Sequence, residues 1–535
     1  MRIPKLPLFA CRSPEAHGSS RRSFFKKGLM STLALGGLAG TQRASAYTGP
    51  QGKPAGDAAY GPGVGKTGLS PFAREIADPD GFGELFETIK REATPEELYT
   101  VLYAMPKGGD IHHHLGGGML PDMWYAIATD PRRNGDQIFY TRYRVSSEGG
   151  PLPFETGRHA RGKIIQWITI GADEWAALKP QHKVQFKPLP DLTPEEQAAW
   201  KSSVMLDLEG EGRDEFFEYT WNRLHTLLGD LHVMSELLVE NMKRFGAEGC
   251  RYMEIQTAPR GRMPDGSLVD ADGYTTFFKN RLSQPDALAT GVTVRFQFVV
   301  LRFAPDAEQQ VENAFAYLNR ERDLFVGINM AGREDNNKGY PERFKETYDK
   351  MLRKYPGIGI SIHAGEAEKP DSHIFDTLRL GANRIGHGIN LFSDEPTMQL
   401  MRAGFALIEI NLVSNDLLGY VPDLNNHPFP IYLRQGIPCC LNTDDRGMWD
   451  SNFTDEYYAG VTYFNLSWAE LTRMGRDSFR FSYARPALKA QLMETYESEL
   501  AAFTKRFSRP DWRAGLQGVE PVTHGYGKNH LGLRL

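Results

Sequence analysis

The run MPKGGDIHHHLGGGM sets His112, His113 and His114 side by side between two glycine-rich turns. Three more polar clusters follow: HAGE, from His363 to Glu366; GHG, around His387; and NTDD, with Asp444 and Asp445. Singly, each has a plain structural explanation: a solvated tract, a strand-to-helix turn, a tight turn, a helix cap. Each also closes a short apolar run of strand character. In a strand, residues i and i+2 point to one face. His112 and His114 are therefore expected on the same side, with His113 turned to the other. His363 adds a third nitrogen and Asp444 a carboxylate oxygen. Nitrogen and oxygen donors without thiolate suit one zinc ion per chain and leave a position for water. Zinc brings the pKa of such a water down to about 7. The chemistry in view is hydrolytic.

What must position these residues is a set of strands. Candidates are GGDIHHH, CRYMEIQ, VTVRFQFVV, LFVGINM, IGISIHA, NRIGHG, FALIEIN and IPCCLNT, with helical segments between them. Eight strands alternating with helices predict an α/β fold, a (β/α)8 barrel whose function gathers at the C-terminal ends of the strands. A doubly wound open sheet is the competing arrangement, but no Gly-x-Gly-x-x-Gly turn opens a helix here. Thr94-Pro95-Glu96-Glu97 reads as a helix start, with cap, proline and early acids. TPEEQAAWKSSVM reads as a second capped helix. It sits in a long polar, aromatic-rich stretch without strong strand runs, an insertion after the first strand. FFEYTWNRLHTLLGDLHVMSELLVENMKRFGAEG reads as one amphipathic helical region ending at glycine.

The boundaries that follow are an export signal over 1–46, a Gly/Pro-rich leader over 47–80 and a helical extension over 81–104. The barrel domain covers 105–510, with its insertion at about 130–213, and a tail covers 511–535. The export reading rests on Arg21-Arg22, the weakly apolar GLMSTLALGGLAG and the small residues of RASAY. The paired arginines resemble a twin-arginine signal. The apolar run is too short for a membrane span, which needs about 20 residues. Cleavage after Ala46 and a periplasmic or secreted mature chain are expected. GPGVGKTG in the leader imitates a phosphate loop, but Tyr60 stands where its first glycine belongs. The 535 residues carry a net charge of −5, which argues against a nucleic-acid-coating surface. Four cysteines, Cys11 in the signal and Cys439-Cys440 adjacent, make no disulfide framework.

MPKGGDIHHHLGG, GINMAGRED, HAGE, RIGHG, HPF and NTDD together resemble the adenosine deaminase family. GINMAGREDNNKGYP and DLNNHPFPIYLRQGIPCCLNTDD are most similar to its secreted, growth-factor-related branch. The resemblance runs from about Ala104 to Gly460 with gaps. It implies His112, His114, His363 and Asp444 as zinc ligands, and Glu366 as the acid that protonates purine N1. It implies His387 as the group that orients or helps deprotonate the water, Asp445 as the partner of N7, and the Gly332 N–H as the partner of N3. The implied reaction adds water at C6 of adenosine or deoxyadenosine and releases ammonia and inosine or deoxyinosine. In two places the sequence departs from the pattern. Gly116 stands where intracellular members carry an aspartate that helps hold the ribose, and Arg333-Glu334-Asp335 follows Gly332 instead of an acidic pair. Sugar contacts are then expected from elsewhere, the insertion included.

Other readings are a deaminase of AMP or adenine, an amidohydrolase acting on amides or esters, and a binding protein that keeps the barrel for its shape. A two-metal amidohydrolase usually carries a bridging lysine at the end of its fourth strand. NMAGRE has none, which favours one metal. The cytidine-deaminase type needs His-x-Glu and Pro-Cys-x-x-Cys, and neither is present. The helical extension and the insertion are natural homodimer surfaces.

Overall fold

The computed structural model describes residues 81–146, 152, 164–336, 338–367, 369–509 and 511–535. The segments read from the sequence as an export signal (1–46) and a leader (47–80), and part of the expected insertion, lie outside the described residues. All eight expected strands form, and they pair in sequence order as one parallel sheet. They are β1 (Gly108–His114), β2 (Cys250–Thr257), β3 (Thr293–Leu301) and β4 (Phe325–Ala331), then β5 (Gly359–Ala364), β6 (Arg384–His387), β7 (Leu407–Ile410) and β8 (Cys439–Leu441). The ring closes between β8 and β1 through a single bridge, His113 opposite Asp444. There the Asp444 N–H donates to His112 O at 2.9 Å, and the His114 N–H to Asp444 O at 3.1 Å. Side chains strengthen this junction: Ile111 N–H donates to Asn442 Oδ1 at 3.0 Å, and the Thr443 hydroxyl to Asp110 Oδ2 at 2.6 Å.

Strand alternation explains both sides of the wall. Glu254, Gln297, Asn329, Ser361, Arg384 and Glu409 come from six successive strands and are all buried. Their neighbours Ile255, Phe296, Ile328, Ile360, Ile385 and Ile408 take the opposite face and build the apolar layer under the helices. Buried charge persists only when paired. Arg384 accordingly donates to Glu254 Oε2 at 2.7 Å and forms an ion pair with Glu409.

Ahead of β1 come α1 (Gly83–Glu92) and α2 (Pro95–Ala104). Thr94 and Glu97 form the reciprocal cap of α2 that TPEE predicts. In the insertion, α3 (Pro194–Ser203) has the same cap from Thr193 and Glu196. The insertion also contains what its sequence hid. Phe139–Arg142, Thr169–Gly171 and Phe186–Pro188 pair as an antiparallel sheet over a small apolar core of its own. Three or four residues per strand are too few to show alternation. The long helical region before β2 is divided as well. A π turn (Phe216–Thr220) leads into α4 (Trp221–Gly229), which is kinked at His225 (φ 28°, ψ −100°). Asp230 then caps α5 (Leu231–Ala247). Among the described residues, no helix is long and apolar enough to cross a membrane.

Candidate active site

Four donor atoms from three strand ends meet in a space the size of one ion. His112 Nε2 and His363 Nε2 are 3.1 Å apart, and His114 Nε2 and His363 Nε2 3.3 Å. Asp444 Oδ1 lies 3.2 Å from His114 Nε2 and 3.5 Å from His112 Nε2. Two of the imidazoles have their protons fixed on the far side. His112 Nδ1 is 2.6 Å from Glu409 Oε2, and His363 Nδ1 is 3.1 Å from the Met330 carbonyl. Both acceptors require N–H at Nδ1, so in the neutral rings each Nε2 presents a lone pair. Asp444 Oδ1 is buried without a hydrogen-bond partner. Lone pairs aimed at one point repel unless a cation joins them, and this donor set fits a divalent ion. Burial lowers the basicity of His112, but its contacts with Asp444 and Glu409 outweigh that and raise it to about 10.

The other expected residues surround this cradle and open, with it, onto one cleft. Glu366 is 4% exposed. Burial first, then the charges of Asp444 and Glu334, push its carboxyl well above the usual range. Asp445 is raised likewise by burial and by Asp444, and its Oδ1 is also buried without a hydrogen-bond partner. A ring nitrogen of His387 lies within 4.8 Å of donor atoms on His112, His363 and Asp444. Burial holds His387 near a pKa of about 4, so the ring is neutral at neutral pH.

The tautomer of His387 follows from its neighbours. The Phe429 N–H donates to His427 Nδ1 at 3.1 Å, so His427 carries its proton on Nε2. That nitrogen lies 3.0 Å from Asn415 Oδ1, which turns the Asn415 amide N–H toward His387 Nδ1 at 3.1 Å. His387 Nδ1 is therefore an acceptor, and its proton sits on Nε2. His387 and Asp444 both have left-handed backbone, φ 65° and 53°, a cost that non-glycine residues carry chiefly at functional sites. Gly332, φ 110°, lines the cleft; a Cβ there would stand 2.9 Å from Phe303 Cδ1.

The cleft measures about 2740 Å3, well above the few hundred to about 1,000 Å3 of an ordinary small-molecule pocket. On one side, the rim, it is lined by Glu174 of the insertion, Phe217 of the π turn, and Trp221 and His225 of α4. Glu174 Oε1 lies 3.1 Å from His225 Nε2, and Glu174 Oε2 accepts from Thr226 Oγ1 and from Gly171 N. The space that a side chain at position 116 would need is occupied. A Cβ on Gly116 would be 2.5 Å from Leu228 Cδ2 and 3.0 Å from Trp221 Cζ3. A Cβ on Gly117 would be 1.8 Å from Asp445 Oδ1.

A closed parallel barrel with histidines and carboxylates collected at the C-terminal ends of its strands defines a (β/α)8 hydrolase. Residues 181–498 match the family model described as adenosine deaminase. The chain belongs to the adenosine deaminase family and is an enzyme of hydrolytic purine deamination. The matched span holds His363, Glu366, His387, Asp444 and Asp445, while His112 and His114 precede it and are brought in by the ring closure. Adenosine deaminase of Pectobacterium atrosepticum is 30% identical over 275 residues, 50% of this chain and 77% of its own. Adenosine deaminase of Aedes albopictus is 25% identical over 463 residues, 79% of this chain and 78% of its own. In fold, the N6-methyl-AMP deaminase of Arabidopsis thaliana is similar at a TM-score of 0.53 and 20% identity, over 75% of this chain and 98% of that one.

Several residues that hold the site escaped the sequence reading. Glu409 fixes His112, and its signal was a lone acid inside the apolar run FALIEIN. Glu334 accepts the N–H of Gly365 and of Glu366, at 3.0 and 3.1 Å, and so clamps the turn that carries Glu366. His373 lies against the same carboxylate at 2.9 Å. Burial opposes the charge of Glu334, but His373, the Arg302 guanidinium and the Glu366 N–H hold it down at about 2. Nothing in DSHIFDTL pointed to His373.

Proposed function

We propose that the protein is a zinc-dependent deaminase of adenosine and 2'-deoxyadenosine, with the metal held by His112, His114, His363 and Asp444. The observation that carries this reading is the donor geometry. Zinc–ligand bonds of about 2.0–2.1 Å in a tetrahedron set donors roughly 3.3 Å apart, and the four contacts here run from 3.1 to 3.5 Å. When bound, zinc supplies the Lewis acidity that readies a water as nucleophile near neutral pH.

The protein's own groups do the rest. Glu366, kept protonated by burial, delivers its proton to N1 as water adds at C6 and the ring loses aromaticity. His387, with its proton on Nε2, orients the attacking oxygen as a donor; the other role open to it, base, needs a free Nε2 lone pair. Asp445, also kept protonated, donates to N7, and the Gly332 N–H meets N3. As the C6 adduct collapses, the proton of its new hydroxyl passes to the amino group, which leaves as ammonia, and the proton given up by the water restores Glu366, so that adenosine and water give inosine and ammonia. The sugar faces the rim, where Glu174 and His225 stand in for the side chain that Gly116 lacks.

Membership of the secreted, growth-factor-related branch accounts for the insertion and is supported by the long match to the insect enzyme. Export through a twin-arginine-type signal cleaved near Ala46, and a homodimer formed through the helical extension, belong to the same reading. The test is a substrate panel of adenosine, deoxyadenosine, adenine and AMP, followed by loss of the adenosine ultraviolet band and by ammonia release, with zinc counted in the same sample. Turnover of adenosine at one zinc per chain is expected. A zinc-loaded protein inert toward every 6-aminopurine nucleoside would overturn the reading. Preference for AMP or adenine would keep the chemistry and change the substrate.

A further inference from the structure

His113 is the histidine of the triplet that the metal cradle does not use. It faces outward, as strand alternation predicts, and its ring meets Phe245 of α5 edge-on at 5.2 Å. It is also one link in a chain of hydrogen bonds whose direction is fixed at every step. Arg446 Nη2 donates to Asn241 Oδ1 at 2.7 Å. The Asn241 amide N–H is therefore the group at 2.9 Å from His113 Nε2. An acceptor at Nε2 puts the ring proton on Nδ1, which lies 2.9 Å from Thr443 Oγ1. That hydroxyl spends its own proton on Asp110 Oδ2 at 2.6 Å. Asp110 Oδ2 also accepts from the Thr443 N–H, and Asp110 Oδ1 from the His112 N–H.

The place where this chain ends matters. Thr443 directly precedes Asp444 and Asp445, and Arg446 directly follows them. Both flanks of the carboxylate pair are thus tied outward, Thr443 to Asp110 and His113, and Arg446 to Asn241 and to Glu248 Oε1 at 3.0 Å. Between these anchors Asp444 holds its left-handed backbone. The glycine at 118 fits the same design, since a Cβ there would lie 2.1 Å from the His113 ring.

We propose that His113 is a positioning residue for the deaminase reaction. Through Thr443 it sets Asp444 toward the metal cradle and Asp445 toward the purine. The proposal rests on the roles given above to those two carboxylates. It predicts that the Nδ1 end of the ring, the end that reaches Thr443, is the part that matters. Asparagine at 113 places an amide N–H near the Nδ1 position; glutamine reaches the Nε2 position instead and loses Thr443.

The test compares His113→Asn, His113→Gln and His113→Leu with the parent, each measured for zinc affinity by chelator competition, for kcat and KM on adenosine, and for thermal midpoint. Loss of an outer partner of a metal site weakens metal binding by about 10- to 100-fold. That range is expected for the Gln and Leu variants, with kcat/KM lowered as well, whereas Asn stays within a few-fold of the parent. Thr443→Val should match the Leu variant. Folded Gln and Leu variants with the parent's zinc affinity and kinetic constants overturn the proposal. So does an Asn variant as impaired as Gln, because the ring would then serve packing alone. If Leu does not fold, the Asn–Gln contrast still decides. A parent that neither holds zinc nor deaminates adenosine removes the functional reading itself, a result distinct from any of these.

Discussion

The cleft has a floor and a rim, and the two are built differently. On the floor four groups are held by a second residue: His112 by Glu409, His363 by the Met330 carbonyl, the Glu366 turn by Glu334, His387 by Asn415. These supports sit in or just beyond barrel strands, whose geometry leaves little freedom. On the rim, Glu174 comes from the short helix Ala172–Ala177 that follows the small separate sheet, and Trp221 and His225 from a kinked helix. Under the proposed function the floor acts on the C6–N bond and the rim meets the sugar, so mutation should separate chemistry from selectivity.

The largest effect is expected at the floor. Glu366→Gln should lower kcat by about 10³-fold, within the range for loss of a general acid, and leave zinc content unchanged. Retained turnover would remove Glu366 from its role. The same residue sets the alkaline limb of the pH profile. Its carboxyl must be protonated, and burial and the neighbouring anions raise its pKa, so kcat/KM should fall as pH rises through that raised value. Glu334→Gln takes away one of those anions and should move the limb to lower pH; an unmoved limb would deny the coupling.

Two adjacent glycines make the sharpest contrast. Gly117→Ala pushes a methyl against Asp445 and should cost about 10²-fold in kcat/KM, the scale of a displacement of about 1 Å at a reacting group. Next, at the rim, Glu174→Gln should raise KM for adenosine about tenfold, the scale of one hydrogen bond to a charged group, with kcat nearly unchanged. Adenine, which has no sugar, should feel it little. Smallest of all, Gly116→Ala meets only the side chains of Leu228 and Trp221 and should change KM by a few-fold. Equal losses at 116 and 117, or a kcat effect at Glu174, would show that floor and rim are not separable.

The same division explains what could be read from the sequence. The strand ends were legible because titratable residues there interrupt apolar runs at intervals no helix face would give. His112 and His114 followed from a period of two. The supports were harder. Glu409 and Glu254 are single acids in apolar strands, visible as anomalies but not as partners of a particular group. Glu334 and His373 come together only through the turn after β5. Of the rim, only the existence of an insertion and of a helical region was legible. Strands of three residues carry no pattern, and the kink at His225 falls inside a sequence whose amphipathic period is unbroken. It took the packing of α4 against the end of β1 to show why position 116 has no side chain.

The meeting of β1 with β8 has a consequence for how the molecule comes into being. The two strands are joined by one bridge, and the donors for the ion lie on both sides of it. The first strand of the ring to be synthesised must wait for the last before a complete cradle exists. A chain stalled short of Cys439 carries His112, His114 and His363 but lacks Asp444, so the donor set is completed only when the circle is shut.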